Sequence, residues 1–468
     1  MTTNKGKENR TGKADVVVIG AGLTGLTTAF YLLKAGLSVA VIEKEERIGG
    51  VIRTIHKDGF TIEAGPNTGV FSTPELVRLF DDLGDRCAPE FANNKGKQRW
   101  IWKGGKWHPL PSGLRSAIAT PLFSWYDKFR ILAEPFRRRG TDPYETVAQL
   151  VRRRMGKSYL DYAVDPFISG IYAGDPDRLV TQFALPKLYR LEQEYGSFIR
   201  GAAKKRKEPK DELTKRATRE VFSVKGGLQG LTDAIGKEIG RENFWLGAGG
   251  LKVDRSGDCF IATFTRNGKQ ESIPANRVIS TTGGHALQDI FRFLHAEELE
   301  PIKKLQYARV IEVVAAYRQW PGIPLTAFGG LIPSRERRDA LGILFTSSIF
   351  EGRTPEGGAI LSVFMGGMRH PELYDKTDEE IGALAMKEIR ETLQTGGAQP
   401  GHLEIFRYRY AIPQYEKSTG ERLVAVRSME ERYPGMLLAG NIRDGVGMAD
   451  RVKQGVAIAE QILDENRE

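Results

Sequence analysis

The hydrophobic pattern changes period several times along the chain, and each change predicts an element. "ADVVVIG" (Ala14 to Gly20) is a short continuous apolar run rich in β-branched residues, which predicts a buried strand. The uncharged stretch from Val16 to Leu33 is interrupted by "GAGLTG", so it predicts strand, tight turn and helix instead of a membrane span or leader, although the basic "KGKENRTGK" before it imitates one. "SVAVIEK" supplies the next strand, ending at Glu43. A second return, "SVKGGLQGLTDAIGKEIG" (Ser223 to Gly240), predicts a glycine turn and a helix, followed by strands that end in "RVISTTGG". In "VIEVVAAYRQW" and "AILSVFMGG" β-rich runs alternate with turns, which predicts an antiparallel sheet with helices over most of 288–423. The last return, "GMLLAGNIRDGVGMADRVKQGVAIAEQIL", predicts a short strand, a glycine-rich turn and a helix of about four turns. No internal repeat is visible.

At 468 residues and 40% hydrophobic composition, the chain has room for about two or three domains with their own cores. Its two cysteines, Cys87 and Cys259, lie far apart without C-x-x-C spacing, so neither a disulfide framework nor a metal site is expected. A reducing, cytoplasmic compartment fits that usage.

Charge changes the picture more than composition does. Residues 91–220 hold 27 Lys and Arg against 14 Asp and Glu, an excess larger than the whole chain's +10, so the remainder is slightly acidic. The clusters "FRRRG", "VRRRMGK" and "AAKKRKEPK" lie among apolar runs such as "GLRSAIATPLFSW", a mixture that suits the anionic face of a membrane. The plain alternative is a solvated basic surface. No helix-turn-helix or zinc-finger pattern accompanies the charge, so a nucleic-acid partner is not expected. No stretch reaches the length of a spanning helix, which makes the expected attachment peripheral, on the inner face of the cell membrane.

The first unit carries the first chemistry. In the turn Gly20-Ala21-Gly22-Leu23-Thr24-Gly25, Gly20 permits the tight bend, Gly22 lets the backbone approach a pyrophosphate, and Gly25 lets the helix pack on the strand. The amides at the helix N-terminus would then face the phosphate. Glu43, followed by Lys44, ends the second strand, where a carboxylate accepts both adenosine ribose hydroxyls and repels a 2′-phosphate. With both strands, the helix and the acid in register, the unit predicts dinucleotide binding.

Just downstream, "RIGGVIRT" and "EAGPNT" (Glu63 to Thr68) resemble segments of the FAD-dependent amine oxidases and their relatives, where they line the pyrophosphate, ribityl chain and isoalloxazine. The resemblance implies FAD as cofactor, contacted by Gly49, Gly50 and Val51 and by Gly65, Pro66, Asn67 and Thr68. It also implies that the C-terminal return completes the site with Gly440, Asn441, Val446, Gly447 and Met448, the helix start facing a negatively polarised flavin edge. The segment offers no cysteine or histidine after His402, so the flavin is expected to be non-covalent. At the adenine the family often has valine, and proline follows "VI-x-T-x". Gly250 and Gly283 stand at those places here, so the adenine contact is expected through backbone alone.

More specific motifs narrow the resemblance. "DPFISGIYAGDPDRLVTQFALPKLYRLEQEYGSFIRGA", "KQRWIWKGGKWHPLP", "FGGLIPS", "FMGGMRHPEL" and "YAIPQY" resemble segments of the protoporphyrinogen oxidases, and the likeness runs from about Asp15 to about Leu463. It implies six-electron oxidation of protoporphyrinogen IX to protoporphyrin IX in haem biosynthesis. A methylene bridge would pass hydride to flavin N5, with oxygen or a membrane quinone as acceptor, and dimers are implied. No catalytic residue beyond the flavin is required. Arg99, in the motif K-x-R-[YW]-I, would pair with a propionate, as its planar fork suits a carboxylate. Small residues near Gly170 would let the macrocycle lie against the backbone with Phe167 as a wall, and Leu331, Leu344 and Phe364 would line the pocket.

The expected fold is α/β. A Rossmann-like FAD-binding domain is assembled from the discontinuous segments 1–90, 226–287 and 424–468. An α+β substrate domain built on an antiparallel sheet takes 91–97, 205–225 and 288–423, and a helical, basic, membrane-associating domain takes 98–204. The rival readings are coproporphyrinogen III oxidation on the same fold, oxidation of amines or polyenes, and a membrane-docked porphyrin carrier without turnover.

Overall fold

The computed structural model describes residues 13–467; the basic residues 5–12 of the leader-like stretch lie outside the described residues. Strand Ala14–Ile19 pairs in parallel with Val39–Ile42 on one side and with the second half of the long strand Lys269–Ser280 on the other. Met436–Leu438 and Phe244–Trp245 extend this sheet in parallel at either side. All four residues of Val39–Ile42 are buried, without alternation, because both faces of the sheet are covered. On one face lies helix Leu23–Lys34, flanked by helices Gln229–Ile239 and Met448–Glu465. The other face packs beneath the hairpin Gly249–Ser256/Cys259–Arg266 and helices Ala296–Lys303 and Thr419–Arg432.

The second large sheet is centred on Tyr307–Tyr317, between His402–Pro413 and Ala359–Gly366, and continues through Ala340–Leu344 and Gly329–Leu331. One of its faces is sealed by helix Asp378–Leu393, whose Ile381, Ala385 and Ile389 follow helical spacing against Ile311, Val313 and Val363. Against the other face lies strand Phe60–Ala64, with Phe60 and Ile62 on Val314 and Ala316.

Several expected boundaries move. Trp100–Lys103 and Lys106–Pro109 form the edge hairpin of this second sheet, so the helical region starts at Leu114 and not at 98. The parallel pairing of Gly330 with Trp100 spans more than two hundred residues and leaves no local signature. Val221–Val224 joins Gly69–Val70 and Pro89–Phe91 in a small sheet; Phe222 and Val224 bury into the core around helix Leu23–Lys34 while Val221 packs with Ile349 and Phe350, so this strand bridges the two regions. Residue 424 falls inside helix Thr419–Arg432, and helix Ala296–Lys303 buries Leu299 and Ile302 beneath the parallel sheet, beyond the boundary expected at 287.

The helical region is held by charge as well as by apolar packing. Fully buried Arg154 donates to Glu134 at 2.7 Å, to Glu192 at 2.5 Å and to the Gly196 carbonyl at 2.8 Å, joining three helices at one point. Removing one partner would leave a buried charge uncompensated, a loss of about 3–5 kcal/mol. Among the described residues no helix is long and apolar enough to cross a membrane.

Candidate active site

A cleft of about 1100 Å³ opens where the returns of the chain meet. It exceeds the usual range for one small ligand, roughly 300–1,000 Å³, and has room for a dinucleotide. Gly20, Gly22, Leu23 and Thr24 form one wall. Glu43, Lys44 and Gly250 form another, with Gly49, Gly50, Val51 and Pro66 beside them and Gly440, Asn441, Val446 and Met448 closing the end.

The glycines of the first turn do different work. A Cβ on Gly25 would stand 2.1 Å from the Gly20 carbonyl oxygen, so Gly25 serves helix–strand contact. A Cβ on Gly22 would meet no protein atom within 4 Å, so the space above it faces the cleft. Gly22 is also the N-cap of a helix with no capping side chain and no acid in its first turn, which leaves amides for an anion. These residues therefore fit the pyrophosphate of FAD, and Glu43 fits its ribose. Ala21 lies outside the wall, but its N–H donates to Glu43 Oε2 at 2.7 Å, and the Glu45 N–H donates to Oε1 at 3.0 Å, fixing the acid.

Gly65, Asn67 and Thr68 stand behind the wall that Pro66 presents. Gly65 adopts a φ of +117°, and a Cβ there would lie 2.2 Å from the Val51 carbonyl oxygen, so the "EAGPNT" segment packs directly on the Gly49–Val51 turn. Gly447 also lies outside the wall; it is the N-cap of helix Met448–Glu465, and its N–H donates to Asp450 at 3.2 Å.

Arg47 was not singled out in the sequence. Its guanidinium donates to the carbonyls of Ile48, Ile52 and Gly50 and so stitches the glycine turn together. The signal was present, since an arginine directly precedes "IGG". His285 lines the cleft and stacks on Tyr410 at 3.8 Å; burial, with Lys44 and Arg409 nearby, lowers its pKa from the ordinary value. Phe406 and Tyr408 add an aromatic wall from the second sheet.

The six residues expected at the substrate stand outside the walls of this cleft, and sheet register relates three of them. Directly paired residues share a face, so Leu331–Gly342–Phe364–Glu312–Phe406 runs across five strands on one face. Leu344, two residues from Gly342, is on that face as well. Phe364 packs against the same buried cluster, around Ala308, Val310 and Leu341, as Ala411 and Ile412, which line the cleft, while Phe406 lines it directly. The face thus leads from Leu331 to the cleft.

Arg99 directly precedes strand Trp100–Lys103, the inner strand of the edge hairpin. Its guanidinium lies 5.3 Å from the Phe328 ring centroid, no carboxylate pairs with it among the described residues, and burial pulls its pKa below the ordinary value. A half-buried cation in that state favours an incoming anion. Helix Asp165–Tyr172 is pinned against the same region. The Ser334 N–H donates to Asp165 at 2.7 Å, Ser334 Oγ bonds the other carboxylate oxygen, and Arg369 donates to Ser169 at 3.1 Å. Phe167 is half exposed, and Gly170 is filled by Leu331, whose Cδ2 would lie 2.6 Å from an added Cβ.

The flavin containing amine oxidoreductase family matches residues 23–463. A mitochondrial protoporphyrinogen oxidase of Nicotiana tabacum is 30% identical over 99% of this chain and 97% of its own. A coproporphyrinogen III oxidase of Bacillus subtilis (strain 168) is 27% identical over 97% of this chain and 98% of its own. A crystal structure from Exiguobacterium sp. 255-15 superposes with a TM-score of 0.78 at 23% identity, covering 96% of this chain and 98% of that one.

Proposed function

Because this chain belongs to the flavin containing amine oxidoreductase family and is an FAD-dependent oxidoreductase of porphyrin biosynthesis, we propose that it oxidises protoporphyrinogen IX to protoporphyrin IX. The observation that carries this reading is the half-buried Arg99, without a carboxylate partner among the described residues, at the border of a sheet face that carries Leu331, Leu344 and Phe364 and leads to the flavin cleft. A flat, apolar macrocycle with two propionates matches the apolar stretch Leu331, Leu344 and Phe364 with one cation at its border.

Bound FAD supplies the hydride acceptor for a methylene bridge of the macrocycle, with oxygen or a quinone as the final electron sink. The chain's own work is binding and orientation. Gly22 and the helix amides hold the pyrophosphate, Glu43 the ribose, and Arg99 a propionate. Leu331, Leu344 and Phe364 exclude water from the ring. Gly170 acts through Leu331, and Phe167 flanks the entrance.

The rim of the helical region supports a membrane contact. Leu114, Trp125, Tyr126, Phe129, Leu132 and Phe136 are exposed, Phe136 by 81%, beside Lys128, Arg130 and Arg137–Arg139. Each such side chain would gain about 1.5–3 kcal/mol on full burial, so a surface that leaves them all in water needs a covering partner. An anionic lipid surface satisfies both the apolar and the basic residues.

The relative from Bacillus subtilis favours a second reading, coproporphyrinogen III as substrate. Anaerobic mixing of the yellow protein with each porphyrinogen decides the matter. Fast flavin bleaching by protoporphyrinogen supports the first reading, and by coproporphyrinogen the second. Bleaching by neither, in a flavin that dithionite reduces, rejects both.

A further inference from the structure

One buried acid is left unused by the function above. Strand Tyr307–Tyr317 reads "YARVIEVVAAY", and its only carboxylate, Glu312, is fully buried between Ile311 and Val313 at the middle of the second sheet. Burying an ionised carboxylate among aliphatic side chains is costly unless its oxygens are satisfied. Both are. Oε2 accepts the Gly65 N–H at 3.0 Å and Oε1 accepts Asn67 Nδ2–H at 2.6 Å. Asn67 is in turn saturated, since Nδ2 also donates to the Gly65 carbonyl at 3.1 Å and Oδ1 accepts from Ser362 Oγ at 2.7 Å.

Gly65 and Asn67 flank Pro66, which lines the flavin cleft, while Glu312 and Ser362 belong to the substrate sheet. We propose that Glu312 is a positioning residue: its ionised carboxylate ties the Gly65–Asn67 wall of the flavin cleft to the substrate sheet, and its protonation releases that tie.

The geometry explains why the charge matters. Each oxygen of Glu312 already accepts an N–H, so a proton added to either one competes with the donor that is there. A proton on Oε1 opposes the Asn67 Nδ2–H aimed at it; turning the amide over would present Oδ1 to the acid and its NH₂ to Ser362, at the loss of the bond to the Gly65 carbonyl. The titratable neighbours are Glu63 on strand Phe60–Ala64 and Tyr408 on strand His402–Pro413, and no cation pairs with Glu312 among the described residues. Burial pushes the Glu312 carboxyl up to about 7, Glu63 adds to the rise, and the bonds from Asn67, Gly65 and Ser362 oppose it. Release of the tie is therefore expected near neutrality.

The proposal rests on the flavoprotein assignment and not on the choice of porphyrinogen, so its test uses the holoenzyme without substrate. The visible spectrum and midpoint potential of the bound flavin are followed from pH 5 to 9. Wild type is expected to show a transition near neutrality that Glu312→Gln, still yellow, abolishes. Ser362→Ala removes a bond that favours the ionised form, and is expected to move the transition to higher pH by threefold or more in proton concentration. A transition that persists unshifted in Glu312→Gln, or a wild-type flavin insensitive to pH, overturns the proposal. Should Glu312→Gln fail to fold, an unmoved transition in Ser362→Ala overturns it equally.

Discussion

Gly170 and Leu331 occupy a single space: the helix Asp165–Tyr172 can approach the sheet because the leucine methyl lies where a Cβ on residue 170 would be, 2.6 Å from it. The contact ends on a flexible side chain, so Gly170→Ala forces Leu331 aside at a cost of about 1–3 kcal/mol. Thermal denaturation of Gly170→Ala, Leu331→Ala and the double variant should show strong coupling, the double variant being more stable than the sum predicts. Strict additivity would mean that the pair does not share its space.

The two later glycines of the dinucleotide turn should separate cleanly. Gly25→Ala meets backbone at 2.1 Å and should destabilise the protein whether or not FAD is bound. Gly22→Ala meets no protein atom, so the apoprotein should keep its Tm while FAD affinity falls by about tenfold or more, equivalent to at least ~1.4 kcal/mol. Apoprotein Tm and FAD titration measure the two effects. An unchanged FAD affinity in Gly22→Ala would place the pyrophosphate elsewhere.

Arg99→Ala should raise KM for the porphyrinogen about tenfold or more, the size of a lost charge-assisted hydrogen bond, and leave the flavin spectrum unaltered. Arg99→Lys should recover part of the loss, because it keeps the charge and loses the fork. Steady-state kinetics at fixed pH decide, and an unchanged KM removes Arg99 from the substrate site.

For the exposed rim, the expected behaviour is binding to anionic vesicles that weakens with salt, since exposed Lys and Arg are screened beyond about 8–10 Å at moderate ionic strength. Replacing Trp125 and Phe129 together by Glu should abolish vesicle sedimentation without changing flavin content. Binding that survives this double substitution would leave the apolar rim for another partner, such as a second copy of the chain.

Stability should also carry a pH signature. Burial raises the carboxyls of both Glu63 and Glu312 from 4.5 to about 7. A raised acid pKa means that the unfolded chain releases its proton first, so each group's contribution is full below 4.5 and is lost as pH climbs towards 7. The full shift at Glu312 corresponds to about 3 kcal/mol. Relative to wild type, Glu312→Gln should therefore gain stability between pH 5 and 7, and parallel curves in chemical denaturation would contradict the assignment.

Local features were the legible ones. "ADVVVIG" and "GAGLTG" announce strand, turn and helix within about twenty residues, because a tight turn and an uncapped helix start need glycine wherever the chain goes next. The hairpin Trp100–Pro109 was expected among helices because its basic setting outweighed its short apolar alternation, and its partner Gly329–Leu331 is far away in the chain. Gly170 was expected to let the macrocycle lie against the backbone, whereas the space beside it is taken by Leu331, a side chain from the second sheet that lies far away in the chain.

By itself, the sequence determined the dinucleotide-binding unit, the flavoprotein family and an arginine in a specific motif, all of which depend on residues near one another along the chain. Tertiary structure alone decided the five-strand register that aligns Leu331 and Phe364 with the cleft, and the clamp of Glu312 on Gly65 and Asn67. In a strand that is buried without a break from Val310 to Tyr317, whether one acid is an unpaired charge or a satisfied one depends on donors supplied by a segment some 245 residues away, and only folding brings them within hydrogen-bond reach.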